Sequence, residues 1–222
     1  MNILITGMQR TGTTLLRRIV TIHPQVKRIF HETFFLTKCL NPVLMKNRIN
    51  SMGINFKNDI WGEKCPYYPN IRKMKVEQYC ETLHNWFPNK FRVIHIVRHP
   101  MDVAISNVKK FKYVKSIVKP IEMYNAIIPR IVPNLMEMPY VIQIKYEHLL
   151  TEPDIVIPKI YKFCNLKPNI NFRKNLKKLE NPRYQEIDSS RSFAYLKSEQ
   201  KLKVDFSEVF KIVNRLDGPE YK

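Results

Sequence analysis

Three stretches of the chain are apolar without polar alternation, and each runs into a helical pattern. Residues 2–6 read NILIT, with Ile3, Leu4 and Ile5 continuous. Residues 91–97 read FRVIHIV, and 140–145 read YVIQIK. Short unbroken apolar runs of this length predict strands buried on both faces. After the first, residues 13–22 place Leu15, Leu16, Ile19 and Val20 on one side of a helix that His23-Pro24 ends. After the second, Pro100 fits the first turn of a helix. After the third, the pattern predicts a helix over 153–164. Strands alternating with helices predict an α/β, three-layer fold, a mainly parallel sheet flanked by helices.

The intervening parts are less regular. Residues 115–139 have helical apolar spacing, but Pro120, Pro129 and Pro133 interrupt it, which predicts short or kinked helices. Residues 166–205 are polar and basic, and NPRYQEIDSSRSF reads as loop. A last amphipathic helix fits 206–216, ended by Gly218-Pro219. No linker divides the chain, so residues 1–222 are expected to form a single domain.

Composition narrows the classes. The chain has 222 residues, 44% of them hydrophobic, enough for a full core. No run of eighteen apolar residues predicts a membrane span, and the opening segment, with Arg10 inside it, does not read as a secretory signal. A cytoplasmic protein is the expectation. Cys39, Cys65, Cys80 and Cys164 stand apart with no CxxC pair, and the six histidines lack ligand spacing, so buried reduced thiols and no metal are expected. Net charge is +19, from 38 basic and 19 acidic residues, which favours anionic partners: a nucleotide, an acidic acceptor or a nucleic acid. No RRM, KH or zinc-finger signature supports the last.

The candidate chemistry starts at GMQRTGTT, residues 7–14, between the first strand and its helix. Backbone amides and the helix dipole converge there on one spot, and Gly7 and Gly12 permit the tight turn. Thr13 and Thr14 add hydroxyls, so a phosphate-like anion is the natural guest. The ATP-type loop G-x-x-x-x-G-K-[ST] carries lysine where this chain has Thr13, and the basic residue sits inside the loop at Arg10. That argues against an ordinary magnesium-dependent P-loop kinase. Arg98 ends the second strand and Ser106 lies in the following helix, where the two can grip one phosphate. In a parallel sheet both strand ends face the ligand-binding edge.

QRTGTTLL and RHPMDVAIS together resemble the sulfotransferase family that uses 3′-phosphoadenosine 5′-phosphosulfate (PAPS). Gln9 stands where the family's P-[KR]-S-G-T-T loop has proline and Thr11 where it has serine; Arg98, Pro100, Asp102 and Ser106 follow R-x-P-x-D-x-x-x-S. Residues 144–166 resemble a third family segment. Within the family, TIHPQVKRIFHETFF is similar to the protein-tyrosine sulfotransferase branch, although His31 replaces the first acid of its E-E-T-R element and Phe34 its arginine. The resemblance implies the P-loop-like sulfotransferase fold and sulfuryl transfer from PAPS, without metal, to an acceptor hydroxyl on a carbohydrate, small molecule or tyrosine. It implies Glu32 as base, with His31 the alternative, and Lys64 of WGEKCPYYPN as the catalytic lysine. Arg10 and the amides of 11–14 would face the leaving 5′-phosphate. Arg10, Thr11, Gly12, Thr13, Thr14, Arg98, Ser106 and Tyr146 would bind the nucleotide. Trp61, Tyr67 and Tyr68 read equally as pocket or core. A further 3′-phosphate contact falls to one of Arg183, Arg191, Lys197, Lys201 and Lys203 in the basic tail.

Overall fold

Side-chain alternation along β1 (Asn2–Thr6) sets the layers. The strand is buried throughout; Ile3 and Ile5 turn to one face of the sheet and Leu4 to the other, as the two-residue period of a strand requires. A computed structural model of the chain describes residues 1–32, 41–66, 76–111, 116–168, 171–179 and 185–192. Within them β1, β2 (Val26–His31), β3 (Ile60–Lys64), β4 (Phe91–Val97) and β5 (Val141–Lys145) form one five-stranded sheet. Its order is β2-β3-β1-β4-β5, with every neighbouring pair parallel.

Two cores cover the two faces. On one, Leu4, Trp61, Phe91, Val93 and Val141 pack against α2 (Pro42–Ser51), α3 (Val76–Trp86), α4 (Pro100–Lys110) and α5 (Val118–Met136). On the other, Ile3, Ile5, Ile94, Ile96 and Ile144 meet α1 (Thr13–Thr21), α6 (Tyr146–Thr151), α7 (Pro153–Phe163) and α8 (Phe172–Leu176). Each such side chain, withdrawn from water, contributes about 1.5–3 kcal/mol, so the sheet is held from both sides. This is the three-layer α/β fold expected.

The three strands and the helices after them lie where the apolar runs predict, within a residue or two at each end. Two strands, β2 and β3, are additional. Between 115 and 139 the chain forms one continuous helix rather than short pieces: α5 carries Pro129 and Pro133 inside it and Pro120 in its first turn, where a missing amide costs nothing. Trp61 is core, edge-on to Phe87 with its indole N–H donating to the Phe56 carbonyl at 3.3 Å. Cys65, Cys80 and Cys164 are buried free thiols, with Cys65 pushed up to about 12 by desolvation. The expected helix over 206–216, together with Cys39, Tyr67, Tyr68, Arg183, Lys197, Lys201 and Lys203, lies outside the described residues. Among the described residues no helix is long and apolar enough to cross a membrane.

From β1 the chain goes to the far edge strand β2, returns to β3 beside β1, and then crosses to β4 on β1's other flank. β1 is therefore the switch point, and the crevice forms beyond the carboxyl ends of the strands around it.

Candidate active site

Each of the five strands ends in a residue or loop that the sequence singles out. β1 runs into the glycine loop, β2 ends at His31 and Glu32, β3 at Lys64, β4 at Arg98 and β5 at Tyr146. Parallel pairing gathers these ends along one edge.

The loop is shaped for an anion. Gly12 occupies the N-cap of α1 at φ 100°, a left-handed conformation that a side chain resists. An added Cβ there would collide with the Tyr146 ring. With no side chain at the cap, the first amides of α1 stay open toward the edge, and the helix dipole adds positive character. Arg10 is also left-handed, at φ 70°. Thr11 is fully buried, its hydroxyl donating to the Met8 carbonyl at 2.7 Å. Thr11 thus shapes the loop from inside, while Gly12 and Thr14 are partly exposed and Thr13 is buried.

Arg98 joins the loop to the far side of the crevice. Its Nη1 donates to the Arg10 carbonyl and its Nη2 to the Arg191 carbonyl, both at 3.3 Å. Asp102 Oδ2, one helical turn on, lies 3.4 Å from Nη2. The guanidinium stacks over the Tyr146 ring, 4.3 Å from its centroid. Its Nε is buried with no hydrogen-bond partner among the described residues. Arg10 reaches across as well, Nε donating to Ser106 Oγ at 2.9 Å. The structure thus brings together Arg10, Gly12, Arg98, Ser106 and Tyr146. It adds Arg191, from the short 3-10 turn Ser189–Arg191, which the sequence offers only as one of five basic residues in the tail.

On the other flank Glu32 and Lys64 form an ion pair. The Lys64 side chain is 3% exposed and that of Glu32 32%, so the ammonium is the buried member. The Glu32 amide donates to the Lys64 carbonyl at 3.0 Å, extending the β2–β3 ladder one residue past β2. Glu32 then turns away at φ 48°, aiming its carboxylate from a left-handed backbone. His31 is exposed, and desolvation followed by the Lys64 charge lowers its pKa, so it is neutral at pH 7. Two cavities, of about 350 and 480 Å³, lie elsewhere: one is lined by Met1, Ile60 and Lys90 at the amino ends of β1, β3 and β4, the other by Lys46, Asn50 and Phe56.

The chemistry of this edge is that of an anion cradle with two cationic poles, facing a carboxylate. Solved structures share the architecture. The sulfotransferase domain from the curacin biosynthetic pathway is 18% identical, with a TM-score of 0.71 over 99% of this chain and 97% of that one. The sulfotransferase domain of the Synechococcus PCC 7002 olefin synthase is 16% identical, with a TM-score of 0.61 over 97% and 94%. Mouse sulfotransferase SULT7A1, complexed with PAP, is 13% identical, with a TM-score of 0.53 over 99% and 80%. No curated protein matches the sequence. The family model described as sulfotransferase domain matches residues 1–211, and the chain belongs to that family.

Proposed function

We propose that the chain, as one domain, transfers a sulfuryl group from PAPS to the hydroxyl of an acceptor, a carbohydrate or small hydroxylated molecule in preference to a peptide tyrosine. The observation that carries the reading is the hydrogen bond from Arg98 Nη1 to the Arg10 carbonyl. It joins a loop suited to a 5′-phosphosulfate to a guanidinium suited to a 3′-phosphate in one crevice. The Arg98 Nε, without a partner among the described residues, and the cap that only glycine tolerates fit such a doubly anionic nucleotide. The mouse sulfotransferase complexed with PAP supports the same ligand class.

When bound, PAPS supplies the sulfuryl group, and adenosine 3′,5′-bisphosphate is left behind. The residues of this chain do the rest. Arg98 and Ser106 hold the 3′-phosphate, Tyr146 carries Arg98 on its face, the Arg191 carbonyl steadies Arg98, and Arg10, donating to Ser106, faces the 5′ end from the loop. The amides of residues 11–14, with the hydroxyls of Thr13 and Thr14, hold the 5′ end and favour charge growing on the departing oxygen. Lys64 adds a cation there, and losing one such donor costs about 10²–10³-fold in rate. Glu32, oriented by Lys64, takes the acceptor proton, worth about 10²–10⁴-fold. Neutral His31 beside it is the alternative base. Buried free thiols fit a reducing compartment such as the cytoplasm.

Titration with adenosine 3′,5′-bisphosphate and with AMP tests the binding half. The bisphosphate should bind far more tightly, and Arg98→Ala should erase the difference. Equal affinities in the parent protein, or magnesium-dependent turnover of ATP, would point to a nucleotide kinase instead. Labelled transfer from PAPS to a panel of sugars, phenols and tyrosine peptides identifies the acceptor. Glu32→Gln should lower turnover about 10²-fold or more with little change in nucleotide affinity, while His31→Ala should not. The reverse ranking would move the base to His31.

A further inference from the structure

The 98–99 peptide group lies one step beyond the end of β4, where the sheet no longer supplies partners. Both of its polar atoms are nonetheless held, and by side chains from different helices. The Arg98 carbonyl accepts from the Tyr124 hydroxyl of α5 at 2.6 Å. The His99 N–H donates to Glu147 Oε1 of α6 at 2.9 Å. Tyr124 is 1% exposed and Glu147 7%, so neither bond competes with bulk water. In a trans peptide the C=O and N–H point in opposite directions. Two partners on opposite sides therefore fix the plane, and with it the direction in which the Arg98 side chain leaves the backbone. Pro100 narrows the choice further by confining His99 to extended backbone, observed at φ −50° and ψ 127°.

Burying a carboxylate and a phenol carries a desolvation cost of kcal/mol order unless they are hydrogen-bonded. Glu147 is pushed above its ordinary value by desolvation, while its hydrogen bond from the His99 amide and, more weakly, the nearby Arg98 charge act in the opposite direction. We infer that Tyr124 and Glu147 are positioning residues, a two-sided clamp on the 98–99 peptide that aims Arg98 and so sets selectivity for a 3′-phosphorylated adenosine nucleotide. The inference rests on the proposed role of Arg98.

The test is the ratio of Kd for AMP to Kd for adenosine 3′,5′-bisphosphate, measured on the full chain alongside melting temperature. Tyr124→Phe keeps the ring and removes only the donor. It should lower the ratio about tenfold by weakening the bisphosphate alone, because a displacement on the scale of 1 Å is enough to cost such factors. Glu147→Ala should do the same, and Glu147→Gln, which keeps an oxygen acceptor for His99 N–H, should restore most of the loss. A purely structural role would weaken both nucleotides together and leave the ratio unchanged, and that result overturns the clamp. Should Glu147→Ala not fold, Tyr124→Phe decides. Arg98→Ala separates the two levels. If it abolishes the ratio while Tyr124→Phe and Glu147→Ala leave it intact, only the clamp is wrong. If it leaves the ratio intact, the reading of Arg98 is wrong.

Discussion

Gly12 is the residue on which the crevice turns, because two demands meet there. Its φ of 100° disfavours any side chain, and the space a Cβ would need is filled by the Tyr146 ring that carries Arg98. Gly12→Ala should therefore cost about 1–3 kcal/mol of stability from backbone strain and, by pushing Tyr146 aside, weaken the bisphosphate more than tenfold; titration and denaturant melts read the two effects separately. Glu32 and Lys64 pose a different question at the same scale. Removing the carboxylate leaves an ammonium buried in the end of β3, an uncompensated charge worth about 3 kcal/mol. Glu32→Ala should then destabilise the fold, and adding Lys64→Met should recover part of that loss, since the stranded charge goes with it. A double-mutant cycle with no coupling would show that water screens the pair fully. Arg173–Asp154, a pair with both side chains more than half exposed (55% and 67%), serves as the contrast in which no coupling is expected.

Among the elements, α5 departs furthest from its local sequence. Pro129 and Pro133 withhold two amides from the ladder, yet the helix runs from Val118 to Met136. Both prolines face solvent, while Ile127, Ile128, Ile131, Val132 and Leu135 enter the core. Burial of five apolar side chains outweighs a penalty of about 3 kcal/mol per interior proline. Pro129→Ala should accordingly raise the melting temperature, and an unchanged or lower one would mean that the proline itself contributes to packing. The same competition explains which strands were legible. β1, β4 and β5 are continuous apolar runs because both of their faces are covered. β2 is one of the two edge strands and, unlike the other edge strand β5, exposes Lys27, Arg28 and His31; that charge hides the strand signal while it blocks further pairing. β3 carries Gly62, where any Cβ would meet the Ile3 backbone of its neighbour, and ends in Glu63-Lys64, so its short sequence looks like loop. At the site, the glycine loop and Arg98 could be read because their chemistry is local to a strand end. Glu32 and Lys64 emerged from family resemblance alone, being brought together only by the two obscured strands. Arg191, 93 residues from Arg98, and the Tyr124–Glu147 clamp depend on helix packing that no spacing rule contains.

The whole molecule combines a net charge of +19 with histidines sealed in its interior, and both make it sensitive to acid. His95 is fully buried in β4 beside Gln143, and desolvation lowers its pKa from 6.5 to about 4. His99, next to Arg98, is likewise lowered to about 4, by desolvation first and then by that charge. With folded values below the unfolded one, the unfolded chain binds more protons between about pH 6.5 and 4, so stability falls as pH falls through that window. Each histidine contributes up to about 3 kcal/mol over the full shift, at 1.36 kcal/mol per unit. Glu147 works in the opposite sense, since a raised folded value favours the folded state once the carboxyl protonates, while His31, also lowered, acts with the two buried histidines. Protonation of surface carboxylates adds further positive charge and self-repulsion. Salt separates the two causes: it screens exposed charges beyond roughly 10 Å at 0.1 M and scarcely reaches buried imidazoles. Urea midpoints at pH 7, 6 and 5 should fall steadily, and 0.5 M sodium chloride should raise all three without removing the slope. A slope that vanishes in salt would assign the acid sensitivity to surface repulsion and leave His95 and His99 without a part in it.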